Sequence, residues 1–273
     1  MTCSEQRKKQ EKEFHDRLRT DAFGQRWSPE LEEEIQADPL WDNMKYYSIE
    51  CRSREKVLTW FQKQTPGKRV LDYCCGNGAD GLYIAQQRAQ EVVGIDISEV
   101  SIQNCRELAK GMNLSNIRFE VMDAEEMTFP DNYFDIVTEY GALHHLNLDR
   151  AYSEMARVLK PDGQAICVEA LGHNFFINYY RRKTPGLRTA WEVDHILKKP
   201  KIFGAQRYFQ EVNILGLYHL STLAAVPFRH TPAFPVILGA LETIDAVLLK
   251  MPFIKWWAWQ IVFVLAKPLP HGN

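Results

Sequence analysis

An α/β fold with a mostly parallel sheet, covered by helices on both faces, is what this sequence predicts, and three observations predict it. Short β-branched runs alternate with helical patterns between Arg69 and Ala170. A glycine loop, Gly76-Asn77-Gly78-Ala79-Asp80-Gly81, follows the first of those runs. The stretch before it, residues 1–65, carries no such run and reads as helix. Repeated strand–helix–strand units imply a parallel sheet, because a parallel neighbour is reached only by a long crossover. Such sheets take ligands outside the carboxyl ends of their strands.

The elements follow in order. Ser28-Pro29-Glu30 has the pattern of a helix start: a capping hydroxyl, a proline at the first position, an acid in the first turn. Val57, Leu58 and Phe61 form an apolar stripe on a later helix, which Thr65-Pro66-Gly67-Lys68 ends. The strands expected next are Arg69–Cys74, Glu91–Asp96, Ile117–Val121, Phe134–Glu139 and Gln164–Ala170. Ser98 is placed to cap a helix with Ile102, Cys105, Leu108 or Ala109, and Met112 on its apolar face. Residues 148–159 repeat that pattern with Ala151, Met155, Val158 and Leu159. Residues 172–215 lose the rhythm and read as an insertion that folds over the site. Ser221–Val226 and Gln260–Ala266 are candidate final strands, with a helix from about Pro235 to Lys250 between them and Glu242 and Asp245 on its wetter side. The division is thus a helical cap over 1–65 and one main domain over 66–273.

Composition narrows the function classes. The chain has 273 residues, enough for one large α/β domain with a sizeable core. A formal net charge of −2 carries no basic excess of the kind nucleic acid requires. The runs Arg181-Arg182-Lys183 and Lys198-Lys199 read as solvated surface. The six cysteines lack C-x-x-C and paired-histidine spacing, so no zinc site and no other metal is expected. The charged N-terminus lacks the apolar core of a signal peptide, which places the protein in the cytoplasm with free thiols. Trp256–Ala266 is apolar but too short to span a bilayer and is flanked by Lys255 and Lys267. It reads as a buried strand, with membrane-surface contact the less favoured reading. A small-molecule acceptor and a monomer or homodimer are expected.

The glycine loop suits more than one cofactor. Glycines between a strand and a helix permit a tight turn and close backbone approach, and a helix N-terminus favours negative groups. Asp96, 20 residues after Gly76, can accept hydrogen bonds from two ribose hydroxyls. Both NAD-type cofactors and S-adenosylmethionine fit these features. Three details separate them. Asp72, four residues before Gly76, would repel a pyrophosphate but suits an ammonium and a sulfonium. A long helical segment precedes the loop. Asp123-Ala124 follows the third strand and suits an adenine amino group.

With VLDYCCGNGADG, VVGIDIS, DAEEMTFPDNYFDIVTEYGALHHL and ARVLKPDGQAICVE in that order over residues 69–170, the chain resembles the class I S-adenosylmethionine-dependent methyltransferases of the small-molecule type. The resemblance implies a Rossmann-like fold with a seven-stranded, mostly parallel sheet, S-adenosyl-L-methionine as methyl donor and S-adenosyl-L-homocysteine as product. It implies that Asp72, Gly76, Asn77 and Gly78 surround the methionine part. Asp96 would hold the ribose, Ile97 would pack on the adenine, and Asp123 and Ala124 would meet its edge. Glu139 and Tyr140 would end the fourth strand beside the methyl donor. The chain departs from the family at Cys74, where a glycine is usual; Cys74 and Cys75 read as small packing residues under the loop.

Methyl transfer from a sulfonium is an in-line displacement driven largely by alignment and water exclusion, and a protonated hydroxyl acceptor also needs a base. The chain resembles natural-product sugar O-methyltransferases in which a histidine after the fourth strand pairs with an acid ending the fifth. By that likeness His144 is the general base and Glu169, a Glu where that subfamily has Asp, its orienter. Tyr46, Tyr47, His145, His173 and Tyr179 are the candidate acceptor-pocket residues. Tyr180, Trp191, His195 and Tyr208 read mostly as lid core, and His219 and His230 as structural. Transfer to nitrogen, carbon or sulfur on a small or lipid-like acceptor is the alternative within enzymes. An NAD-dependent oxidoreductase and a non-catalytic binding or lipid-surface module are the rivals outside it.

Overall fold

The computed structural model of the protein describes residues 3–21 and 39–270; the helix start expected at Ser28-Pro29-Glu30 lies outside the described residues. Seven strands form one sheet: β1 (Arg69–Tyr73), β2 (Glu91–Asp96), β3 (Ile117–Val121), β4 (Phe134–Tyr140), β5 (Leu159–Ala170), β6 (Phe209–Tyr218) and β7 (Gln260–Pro268). Their order is β3-β2-β1-β4-β5-β7-β6. β7 runs antiparallel to both neighbours, and the other pairings are parallel. After β3 the chain crosses to the far side of β1 to lay down β4. The order therefore reverses between β1 and β4, where a crevice opens at the strands' carboxyl ends.

The helices are α1 (Cys3–Asp21), α2 (Cys51–Gln64), α3 (Ala79–Gln86), α4 (Glu99–Gly111), α5 (Leu148–Val158), α6 (Phe175–Lys183), α7 (Ala190–His195), α8 (Lys199–Phe203) and α9 (Phe234–Leu248). The strands read as near-continuous apolar runs because both faces are covered. Leu71, Tyr73, Val93 and Ile95 pack with Ala151 and Met155 of α5 on one face. Val70, Val92 and Ile136 pack with Val57 and Phe61 of α2 and Ile84 of α3 on the other. Fully buried Phe61 anchors α2, and truncating it to Ala costs about 3–5 kcal/mol. Ser98 caps α4 as expected: its Oγ accepts the Ser101 N–H at 3.0 Å.

Six expectations are corrected. The sixth strand is Phe209–Tyr218, so residues 209–215 belong to the sheet and not to an insertion, and Thr222–Phe228 is a 3-10 helix in place of a strand. Strand β6 is half-buried along most of its length, which blurs its sequence pattern. Asp245 is on the buried side of α9, where its carboxylate accepts from Leu220 N, Ser221 N and Thr222 Oγ1; Val236 and Val247 are the exposed residues. Leu159 starts β5, opposite Phe134, and does not end the preceding helix. Met112 is exposed at the end of α4. Arg181, read as solvated surface, is only 5% exposed.

Candidate active site

The crevice is a cavity of about 790 Å³. One wall is the β1–α3 loop. Gly76 and Gly78 adopt left-handed backbone, φ 51° and 69°, which frees Gly78 to approach Cys105 and Phe119 closely: a Cβ there would lie 2.9 Å from the Cys105 Sγ. Cys74 is also left-handed, φ 55°, without being glycine. That conformation is why a glycine is usual there, and a side chain at φ > 0 carries strain of about 1–2 kcal/mol. Burial pushes the Cys74 and Cys75 thiols well above the usual range, which disfavours the reactive thiolate, and both half-buried side chains line the cavity.

The glycine-loop end of the cavity is acidic. Asp72 and Asp80 line it, and the Asp72 Oδ2 accepts the Gly81 N–H at 2.9 Å. Burial, and then the Asp80 charge, push the Asp72 pKa well above the usual carboxylate range. Arg54 Nη2 pairs with Asp80 at 2.5 Å. The Asn77 Oδ1, in the glycine loop, is buried with no hydrogen-bond partner among the described residues. A cationic ammonium beside these two carboxylates relieves their repulsion, so the residues present fit the methionine part of S-adenosylmethionine and would repel a pyrophosphate. Asp96 Oδ2 accepts the Gly76 N–H and Oδ1 the Ser98 N–H, both at 2.9 Å.

Helix α1 lies across this end. Asp16 accepts from Ser98 Oγ at 2.6 Å, Asn104 donates to the Arg19 carbonyl at 3.0 Å, and Lys8 meets Asp123 at 2.5 Å. Arg7 pairs with buried Glu125. His145 Nδ1 lies 2.9 Å from Glu11 of the same helix. Burial pulls the His145 pKa down, but the Glu11 hydrogen bond and charge prevail and hold it above the usual value.

Beyond the glycine loop, the strand ends bring two acids and a histidine together. His144, in the turn after β4, is buried, and its Nδ1 lies 2.7 Å from Glu169 Oε2 at the end of β5. Glu169 Oε1 also accepts the Leu143 N–H at 2.6 Å. Burial raises the Glu169 pKa, but the His144 charge and hydrogen bond outweigh it and the net shift is downward. Glu139, fully buried beside it, is pushed well above the carboxylate range by burial and then by the Glu169 charge. Its Oε1 accepts from Ala142 N at 2.5 Å and Leu143 N, which fixes the turn that carries His144.

The cavity collects eight of the expected residues. Asp72, Gly76, Asn77, Tyr140, His144, His145, Tyr46 and Tyr47 line it. Gly78, Asp96, Ile97, Asp123, Ala124, Glu139, Glu169, His173 and Tyr179 are not among its lining residues, though Asp96 accepts from lining Gly76 and Glu169 holds lining His144. His173 Nε2 accepts the Lys199 N–H, and Tyr179 is 58% exposed; Tyr180 takes the position in the wall instead. Sequence reasoning missed Glu50, Arg54, Arg181, Arg188, Glu192 and Gln260, all of which line the cavity. Contacts between distant elements mark Glu50, which accepts from Tyr140 Oη at 2.5 Å and Gln260 Nε2 at 2.8 Å.

A family profile described as a methyltransferase domain matches residues 70–163. A demethylmenaquinone methyltransferase of Listeria welshimeri is 31% identical over 159 residues, covering 54% of this chain and 67% of that protein. A putative methyltransferase of Bacillus halodurans superposes with a TM-score of 0.54 at 19% identity, over 80% of this chain and 100% of that one. A phosphoethanolamine N-methyltransferase of Haemonchus contortus, solved with S-adenosylhomocysteine, gives 0.55 at 17% identity, over 80% and 53%. These structural likenesses concern the fold. The chain belongs to the class I S-adenosylmethionine-dependent methyltransferases. It is a methyltransferase of the small-molecule type, and among the described residues no helix is long and apolar enough to cross a membrane.

Proposed function

We propose that the protein transfers a methyl group from S-adenosylmethionine to a hydroxyl of a small organic molecule, with His144 as general base. The observation that carries this is the 2.7 Å contact between His144 and the ionised, buried Glu169, on a histidine that faces the cavity. Glu169 fixes the tautomer: Nδ1 bears the proton, and Nε2 is left to accept one from the acceptor hydroxyl. S-adenosylmethionine, when bound, supplies the electrophilic methyl. Asp72, Gly76, Asn77 and Gly78 would hold its methionine part, Asp96 its ribose, and Ile97, Asp123 and Ala124 its adenine, with Tyr140 beside the reacting end. Tyr46 packs edge-on to Tyr180 at 5.7 Å and lies 5.8 Å from Trp259, and this aromatic wall orients the acceptor and excludes water.

A second reading, transfer to a lipid-like acceptor, draws on the name of the Listeria relative and on Phe176, which lines the cavity while 73% exposed. Locating the new methyl by NMR on a purified product tests the proposal. An O-methyl ether supports it, and a methyl on carbon, nitrogen or sulfur removes the need for His144 as base.

A further inference from the structure

Arg181 is a buried cation without a carboxylate. It sits in the last turn of α6 and lines the cavity. Its Nη1 donates to the Leu171 carbonyl at 3.1 Å and to Asn178 Oδ1 at 3.2 Å. Its Nε and Nη2 make no hydrogen bond among the described residues, and no carboxylate there lies within ion-pair distance. The two acids whose charge reaches it are otherwise engaged: Glu192 pairs with Arg188 at 3.3 Å, and Glu169 with His144. Arg188 is itself satisfied by the Arg181 and Thr184 carbonyls. Burial pulls the Arg181 pKa down to about 10, with Glu192 and Glu169 opposing and Arg188 reinforcing, so the group stays charged at neutral pH. A buried charge without a partner is costly unless something completes it.

We infer that Arg181 is the acceptor's anion-binding residue, and that the acceptor carries a carboxylate besides the group that is methylated. A planar guanidinium with its remaining N–H donors free matches a carboxylate edge. The other lining arginine without a carboxylate among the described residues, Arg19, lies at the glycine loop with its guanidinium against Gly76, so Arg181 is the single such cation on the aromatic wall, which suits one negative charge rather than a phosphate dianion. The neighbouring wall, Tyr46, Ile177, Tyr180 and Trp259, suits an apolar or aromatic body on that carboxylate. This rests on the proposed acceptor site beside His144 and names the class of molecule that enters it.

The test compares benzoate with its neutral isostere benzamide by calorimetry on protein saturated with S-adenosylhomocysteine. Wild type is expected to prefer benzoate by about ten- to hundredfold, the range for one charge-assisted pair. Arg181→Gln abolishes the preference and Arg181→Lys keeps part of it, with S-adenosylhomocysteine affinity unchanged in both. Equal affinity for the two probes, no binding of either, or a preference that survives Arg181→Gln overturns the inference. Tighter binding of inorganic phosphate than of benzoate overturns the carboxylate assignment. The wild-type comparison decides the matter even where Arg181→Gln fails to fold. His144→Ala leaves the guanidinium in place and keeps the preference, so loss of the base and loss of the anion site read out separately.

Discussion

Asp96 offers the sharpest prediction about the cofactor, because its readout needs no acceptor. Its carboxylate sits at the end of β2 and is already oriented by the Gly76 and Ser98 N–H groups at 2.9 Å each. Two ribose hydroxyls donating to it would form two charge-assisted hydrogen bonds, each contributing about 1.5–3 kcal/mol. Removing both in Asp96→Ala costs about 3–6 kcal/mol, or roughly two to four decades of affinity. Asp96→Asn keeps an acceptor oxygen and loses only the charge, so it should fall by roughly one to two decades. Burial raises the Asp96 pKa, with the Ser98 and Gly76 N–H groups opposing. The ionised form binds the hydroxyls, so affinity should fall on acidification at a pH above that of an ordinary aspartate. Calorimetric titration with S-adenosylhomocysteine measures all three effects, with circular dichroism confirming the fold. Native-like Asp96→Ala with wild-type affinity would refute the ribose assignment.

Three further outcomes are expected. Glu50 has its pKa pushed up to about 7 by burial, against Tyr140 and Gln260, so the folded state holds a proton that the unfolded state gives up near the ordinary value. Its stabilising contribution is present below the unfolded pKa and is lost as pH rises through about 7, amounting to about 3 kcal/mol at most; Glu50→Gln should flatten the difference in denaturant midpoint between acidic and alkaline buffer, and an unchanged difference contradicts the assignment. Cys74→Val should lower stability by about 1–2 kcal/mol because a β-branched residue resists φ 55°, whereas Cys74→Gly should not, as urea unfolding will show. Lys8→Met should free the Asp123 carboxylate and raise S-adenosylhomocysteine affinity by about two- to fivefold, the scale of a partly exposed ion pair; a loss of affinity would instead make Lys8 part of the cofactor site.

What the sequence shows and what it hides divide along the range of the interactions. β1 to β5 and the capped helix α4 were legible because periodicity and capping are local. The His144–Glu169 pair was legible because parallel neighbours align their carboxyl ends, so a residue after β4 meets one ending β5. β6 was not, because a half-buried strand such as Phe209–Tyr218 lacks clean alternation. Asp245 and Arg181 were misread for the same reason: charge predicts exposure until a distant backbone supplies partners, here residues 220–222 for the one and the Leu171 carbonyl for the other. Cys74 was visible as an anomaly from sequence, but its left-handed backbone appears only in the fold.

The most direct test of hydroxyl methylation with His144 as base is to measure turnover and S-adenosylhomocysteine affinity together for His144→Ala, with an acceptor identified by screening for a product one methylene heavier. General-base loss predicts a fall in kcat of about 10²–10⁴ with cofactor affinity within about twofold of wild type. A variant that turns over at the wild-type rate across the pH range would contradict the mechanism.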